Sequence, residues 1–190
     1  MKIILSIVIC AVSFVSCNKI DSEDHLEILK DKFHGKYELV SSISKELLDL
    51  NMDGIASNDL LSENPQLARS GIEVFIIDSD HHLFEEKWAT ENHQISRDEL
   101  FDPNKVYTTE GLYYGMYINM SSFIFNEDFK TIQLLDGVYT NEVNTLISFE
   151  SVVFEGNEIV KVTTIRKLYT KKGWVTTEII SRYKRFTTLT

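Results

Sequence analysis

The stretch Asp49-Leu50-Asn51-Met52-Asp53-Gly54-Ile55-Ala56-Ser57-Asn58-Asp59-Leu60 holds the residues best spaced to do chemistry. Oxygen-bearing side chains at alternate positions, followed by glycine at the sixth, match the first half of a calcium loop. A hard cation takes about six to eight oxygens at roughly 2.3–2.6 Å, and alternate residues on a tightly curled loop point inward together. The candidate ligands are Asp49, Asn51 and Asp53 through their side chains, Ile55 through its carbonyl, Ser57 directly or through water, and Asp59. Gly54 permits the sharp turn that brings the second half round. A calcium loop closes on a bidentate glutamate, and here that position is Leu60; Asp59 stands one residue early and Glu63 three residues late. The affinity expected is weak, on the order of 10⁻⁴–10⁻³ M, and the role structural, pinning one mouth of the fold. The competing expectation is an Asx-rich turn whose side chains bond their own backbone.

Other constellations carry less. Asp78, Asp80, His81, His82, Glu85 and Glu86 collect metal-ligating types, but adjacent histidines on a strand point to opposite faces and cannot share an ion without a bulge. A polar hairpin turn accounts for them. Glu91 and His93 are expected in a polar loop, and His25 and His34 on an N-terminal helix or its end. No G-x-S-x-G elbow, H-E-x-x-H pair or P-loop occurs. Among 29 Asp and Glu residues nothing singles out a catalytic pair, so the chain is not expected to be an enzyme. The aromatics Tyr107, Tyr113, Tyr114, Tyr117, Phe123 and Phe125 either line a ligand cavity or fill a core.

Positioning these residues falls to strands. Leu26, Leu29 and Phe33, with Ile28 alongside, recur at helical spacing from Asp24 to Phe33. Ser22 or Asp24 can cap this helix, Lys30 and Lys32 suit its end, and His34-Gly35 stops it. Tyr37, Leu39, Ser41 and Ile43 then alternate as one face of a first strand. Further strands are predicted at Ile72–Ile77, Leu83–Thr90, Tyr113–Asn119, Ser122–Asn126, Thr131–Leu135, Leu146–Phe154, Ile159–Tyr169 and Trp174–Phe186. Short turns at Glu155-Gly156-Asn157 and Lys171-Lys172-Gly173 make the last three an antiparallel meander. The stretches 44–70 and 91–110 are expected as long polar loops, with one helical turn near Arg97–Leu100. The fold class is therefore all-β: an antiparallel meander closing into a barrel or strongly curved sheet, with one short N-terminal helix.

Residues 1–16 have the layout of a secretory signal: Lys2, an uncharged apolar run, then a small residue. The run is too short to span a bilayer, which takes about 20 apolar residues. Phe14-Val15-Ser16-Cys17 resembles the lipobox of bacterial lipoproteins, with phenylalanine where leucine is usual. The resemblance implies cleavage before Cys17 and diacylglycerol and palmitate on that cysteine. Residues 17–23 then form a lipidated tether and 24–190 the folded domain. Asn18, not aspartate, follows Cys17, which implies the outer membrane. Asp21-Ser22-Glu23-Asp24 resembles the acidic cluster that sends lipoproteins of the Bacteroidetes to the cell surface; an ordinary acidic tether would read the same way. Cys10 leaves with the signal and Cys17 is acylated, so the mature domain has neither disulfide nor thiol nucleophile.

Hydrophobic residues at 43% and aromatics at 11% describe a folded domain with a real core. A formal net charge of −10 at pH 7 excludes nucleic acid as a partner, which needs clustered Lys and Arg. It also keeps the chain off an anionic membrane except through its lipid. Gly35-Lys36-Tyr37-Glu38-Leu39-Val40-Ser41 resembles the G-K-W-x-L-x-S start of lipocalin-like lipoproteins of the Bacteroidetes. The Asp49–Leu60 segment resembles their D-x-N-x-D-G-x-x-S-x-D-L. Over residues 33–188 the resemblance implies a lipocalin-like barrel in the cell envelope. The expectation is an envelope lipoprotein that binds a small apolar or glycan ligand, with calcium as an accessory. The alternative is a solid barrel whose loops bind another envelope protein.

Overall fold

In the computed structural model, residues 22–93, 112–135, 145–156 and 158–190 are described, with the side chains of 22–23, 91–93 and 112–114 left aside. The elements run α1 (Ser22–Phe33), β1 (Gly35–Leu48), β2 (Ser57–Asp59), α2 (Leu60–Glu63), a 3₁₀ turn (Pro65–Arg69), β3 (Gly71–Ile76), β4 (His82–His93), β5 (Leu112–Phe125), β6 (Thr131–Leu134), β7 (Leu146–Gly156), β8 (Ile159–Thr170) and β9 (Gly173–Thr187). The sheet order is β2-β1-β3-β4-β5-β6-β7-β8-β9, and β1 also pairs with β9. Eight antiparallel strands thus close into a barrel, and β2 is a short addition along β1. Closure satisfies the edge groups that an open sheet would leave unpaired.

The closing strand depends on two glycines. Gly35 has φ 136°, and a Cβ there would run into the carbonyl oxygen of Thr187 on β9. At Gly71 a Cβ would sit 2.8 Å from the carbonyl oxygen of Tyr37 on β1. Three strands meet at these points closer than any side chain allows.

Period-two alternation fills the barrel. Ile72, Val74 and Ile76 of β3, Phe84 and Trp88 of β4, Val160 and Val162 of β8, and Ile179 and Tyr183 of β9 are all buried. On β1 the pattern changes phase. Tyr37 and Leu39 are buried, but a bulge between Leu39 and Ser41 makes Ser42 and Ser44 the next inward residues, in place of Ser41 and Ile43. Ser42 Oγ lies 3.0 Å from Ser181 Oγ across the seam.

Three sequence expectations change. Tyr113–Asn119 and Ser122–Asn126 form the single strand β5. Ser121 faces inward and is buried, so the ladder with β4 runs through Met120 and Ser121 without a break. The stretch 44–70 is structured: β1 runs to Leu48, and β2, α2 and the 3₁₀ turn follow. Glu91 and His93 lie on β4, paired with Tyr114 and Leu112. The expected helical turn at Arg97–Leu100 falls outside the described residues, as do residues 1–16 and Cys17.

The helix α1 closes one end of the barrel. Leu29 and Phe33 are buried, and the Phe33 ring meets those of Phe125 at 4.7 Å and Phe154 at 4.6 Å. Tyr37 Oη donates to the Phe33 carbonyl at 2.7 Å, and Arg185 Nη1 to the Asp31 carbonyl at 2.6 Å. The last carbonyls of the helix thus receive a phenol and a cation, which also complements the negative end of its dipole. Burial pushes the Tyr37 phenol up to about 12, so it stays a donor.

Candidate functional site

At the barrel end opposite α1, β1 leaves its ladder into the loop 49–56. Met52 at φ 61° and Gly54 at φ 94° curl it. Asp49 Oδ2 accepts Gly54 N–H at 3.0 Å, Asn51 Oδ1 accepts Asp53 N–H at 3.0 Å, and Asp53 Oδ1 accepts Ile55 N–H at 2.7 Å. Asn51 Nδ2 donates to Asp53 Oδ2 at 3.2 Å. Asp49, Asn51 and Asp53 are therefore gathered round one small loop.

The remaining predicted ligands are placed differently. Ser57 and Asp59 belong to β2; Ser57 Oγ accepts Asp59 N–H at 3.0 Å, and Asp59 Oδ1 caps α2 by accepting Leu61 N–H at 3.1 Å. Ile55 is 73% exposed. Glu63, at the end of α2, instead turns back beneath the loop. It is 5% exposed, and its Oε2 accepts the N–H of Leu50 at 2.9 Å and of Asn51 at 3.5 Å. Beside it Asp49 Oδ1 is buried with no hydrogen-bond partner. Among the described residues no three His, Cys, Asp or Glu side chains form a metal-holding group. Any cation here would draw on Asn51 and backbone oxygen as well as carboxylates, a donor set suited to a hard ion.

The predicted turn at 78–81 is a hydrogen-bonded turn. Asp78 Oδ1 accepts the N–H of Asp80 and His81, and His81 Nδ1 lies 2.8 Å from Asp78 Oδ2. These bonds lower the Asp78 carboxyl, the Asp80 N–H contributing most. His82 points inward, 5% exposed, its ring against Phe123 and Phe125 at 5.2 and 5.4 Å. The adjacent histidines do face opposite sides.

The barrel's middle holds an ion pair that the sequence did not single out. Glu86 is 1% exposed and Arg166 fully buried. Arg166 Nη2 donates to Glu86 Oε1 at 2.6 Å and Oε2 at 2.5 Å, while its Cζ sits 3.9 Å from the Trp88 ring centroid. Asn119 Nδ2 and Tyr183 Oη also donate to Glu86, at 3.3 and 3.4 Å. Burial, then the Glu86 charge, pushes the Tyr183 phenol well above its usual value. A signal was available: Glu86 shares parity with Phe84 and Trp88, and Arg166 with Val160, Val162 and Leu168.

The lumen at this level is filled by Trp88, Arg166, Tyr183, Phe84 and Phe123, each at most 1% exposed. The predicted aromatics divide accordingly. Phe123 is core, Phe125 packs against it, and Tyr117 is half-buried. Tyr107 and the Tyr113 and Tyr114 side chains fall outside the described residues. Toward the loop end, the space between Trp88, Leu168 and Trp174 measures about 10 Å³, room for roughly one water.

A larger space opens at the α1 end. A cleft of about 1000 Å³ lies between the end of α1, the β5–β6 turn and the β7–β8 turn. Phe33, Tyr37, Phe129, Val153, Phe154 and Ile159 line it together with the cations Lys32, Lys130 and Arg185 and the carboxylates Asp31, Asp128, Glu155 and Glu158. Arg185 is held by Glu158, with Nη2 2.8 Å from Oε1. Glu155 is lowered, chiefly by its hydrogen bond from Arg182.

The fold and this site define a closed antiparallel barrel with a helix across one end, a filled middle and an open aromatic cleft. No family model and no curated protein sequence matches the chain.

Proposed function

We propose that the protein is a lipid-anchored component of the bacterial outer envelope, carried on acylated Cys17. Its lipocalin-like barrel holds a small ligand with an apolar body in the cleft beside α1. The carrying observation is the contrast between a filled lumen and a cleft of about 1000 Å³ lined by Phe33, Phe129, Phe154 and Ile159. A volume of that order, with aromatic and aliphatic side chains on its floor and charges of both signs around them, suits a small amphipathic molecule. Native mass spectrometry of the mature lipoprotein, released gently from detergent, tests the reading. A lipophilic adduct lost in the Phe154→Asp variant supports it; a bare lipoprotein mass after exposure to envelope lipid extract removes it.

The loop 49–56 takes calcium as a structural cation in the same reading. The orphaned, buried Asp49 Oδ1 supports this, as does the buried negative charge of Glu63 beneath the loop. Asp49, Asn51 and Asp53 would hold the ion with backbone oxygen, and Glu63 would support the loop from beneath through the N–H groups of Leu50 and Asn51.

A second reading, a surface for another envelope protein, has its own observation. Met116, Ile118 and Met120 project from the outer face of β5, at 38, 58 and 47% exposure. Cross-linking from residue 118 in intact cells would separate the two.

A further inference from the structure

The turn from β5 to β6 is built rigidly around one exposed aromatic. Asp128 Oδ1 accepts the N–H of Lys130 and Thr131 at 2.8 and 3.0 Å, and Phe129 N–H donates to the Asn126 carbonyl at 2.9 Å. Between these bonds Phe129 takes φ 50°, a left-handed conformation that bulky residues rarely adopt. Its ring is 45% exposed and stands against His25 of α1 at 5.9 Å and Phe125 at 5.8 Å. Ile28, three residues on from His25 and hence on the same helix face, is 44% exposed. Two large apolar side chains therefore stand half out of the fold where the first turns of α1 meet the β5–β6 turn.

Chain length ties this patch to the anchor. Cys17 and Ser22 are five residues apart, at most about 18 Å along an extended chain. Ser22 to His25 adds about one helical turn, roughly 5 Å. Whatever path the tether takes, a lipid on Cys17 holds the Phe129 end of the barrel close to the bilayer surface. The loop 49–56 is at the opposite ends of the strands, beyond the tether's reach.

We propose that Phe129 and Ile28 seat this end of the barrel in the headgroup region of the membrane carrying the anchor, so that the barrel stands with loop 49–56 outward. The inference rests on the lipid-anchor reading. The occupant is a bilayer because the tether brings one there. It is zwitterionic in character, since the same helix exposes charges of both signs, Asp24, Glu27 and Asp31 with Lys30 and Lys32, while the chain carries −10 overall. The cleft lined by Phe129 then opens at the membrane surface, which gives an apolar-bodied ligand a route from the bilayer.

The test uses lipidated protein in phosphatidylcholine vesicles. With Cys17 acylated, an introduced cysteine is the one thiol available to a nitroxide label. Phe129→Cys, Ile28→Cys and Ile55→Cys are labelled in turn, with circular dichroism reporting the fold. Labels at 129 and 28 are expected to lose collisions with a water-soluble nickel relaxant and gain them with oxygen; the label at 55 should stay fully aqueous. Should Phe129→Cys unfold, Ile28→Cys carries the test alone. Flotation with vesicles but aqueous labels at 28 and 129 overturns the proposal while leaving the anchor intact. Failure to float, with an unacylated Cys17 by mass, removes the anchor reading and the proposal together.

Discussion

Arg166 donates Nη2 to both carboxylate oxygens of Glu86, across the barrel from β8 to β4, with both side chains out of water. The remaining Arg166 nitrogens, Nε and Nη1, make no hydrogen bond, and the guanidinium lies on the Trp88 ring instead. The pair occupies space that a ligand would need in a hollow barrel. It also links strands four apart in the sheet order, so it sets their relative placement as well as their charge balance.

A buried pair of this kind resists loss of one partner far more than loss of both. Arg166→Met leaves a buried Glu86 carboxylate uncompensated and should cost about 3–5 kcal/mol. Glu86→Gln should cost a similar amount by stranding the guanidinium. The double variant Glu86→Gln/Arg166→Met keeps an acceptor for Tyr183 and Asn119 and should recover to within about 1–2 kcal/mol of wild type. Urea unfolding of the four proteins measures this; additive losses would mean that the two charges do not interact.

Gly35→Ala should cost about 2–4 kcal/mol by combining a left-handed backbone with a clash at the β1–β9 seam. Gly54→Ala, also at positive φ but with open space where a Cβ would go, should cost about 1 kcal/mol. Equal losses at the two sites would show that conformation alone, not closure of the barrel, selects Gly35. Thermal and urea unfolding compare them.

Much of this fold is legible in the sequence because strand alternation and turn residues act locally. The β7–β8–β9 meander follows from runs of Val, Ile and Thr between two tight turns. The phase change at Val40 was not legible, because Tyr37, Leu39, Ser41 and Ile43 alternate without a break and only the pairing with β9 reveals the bulge. The continuity of β5 was not legible at Met120-Ser121, since a small polar residue breaks the run of large side chains although it suits the crowded inside of a barrel. At the candidate loop, spacing located Asp49, Asn51 and Asp53. Glu63 could be weighed but not chosen: its return to the loop depends on α2, a single turn capped by Asp59. The cleft joins residues from both ends of the chain, so no local pattern announces it.

His82 gives a pH dependence with a definite sign. Its ring lies against Phe123 and Phe125 with Nδ1 unpartnered, and burial lowers its pKa below the ordinary 6.5. The unfolded chain therefore takes up the proton first as the pH falls. Stability should be level above about pH 7 and decline as the pH drops through 6.5 toward the lower folded value. His34, lowered by burial and then by Lys30, adds a decline of the same sign. His82→Phe removes the orphaned nitrogen, so it should match or exceed wild type at pH 7.5 and flatten part of the slope between pH 7 and 5. Melting temperatures across that range decide it; an unchanged slope in His82→Phe would assign the dependence elsewhere.

The loop 49–56 makes the last prediction, and its size follows from mass action. A cation that binds the folded chain stabilises it by RT ln(1 + [L]/Kd). For a dissociation constant of about 10⁻⁴–10⁻³ M, calcium at roughly 10 mM should add about 1.4–2.7 kcal/mol. EDTA should remove the gain and magnesium should reproduce little of it, since magnesium demands tighter octahedral geometry. Asp53→Ala removes one loop carboxylate, and Glu63→Gln keeps the buried acceptor for Leu50 N–H while removing its charge. Both should reduce the calcium increment, Asp53→Ala by removing a ligand and Glu63→Gln by removing the negative charge beneath the loop, the latter with little change in calcium-free stability. Chemical unfolding with and without calcium reads all of this at once. An increment undiminished in both variants would place any bound ion elsewhere. No increment in wild type would leave the loop as a turn held by its own Asx side chains, with Glu63 serving only to close the N–H groups of Leu50 and Asn51.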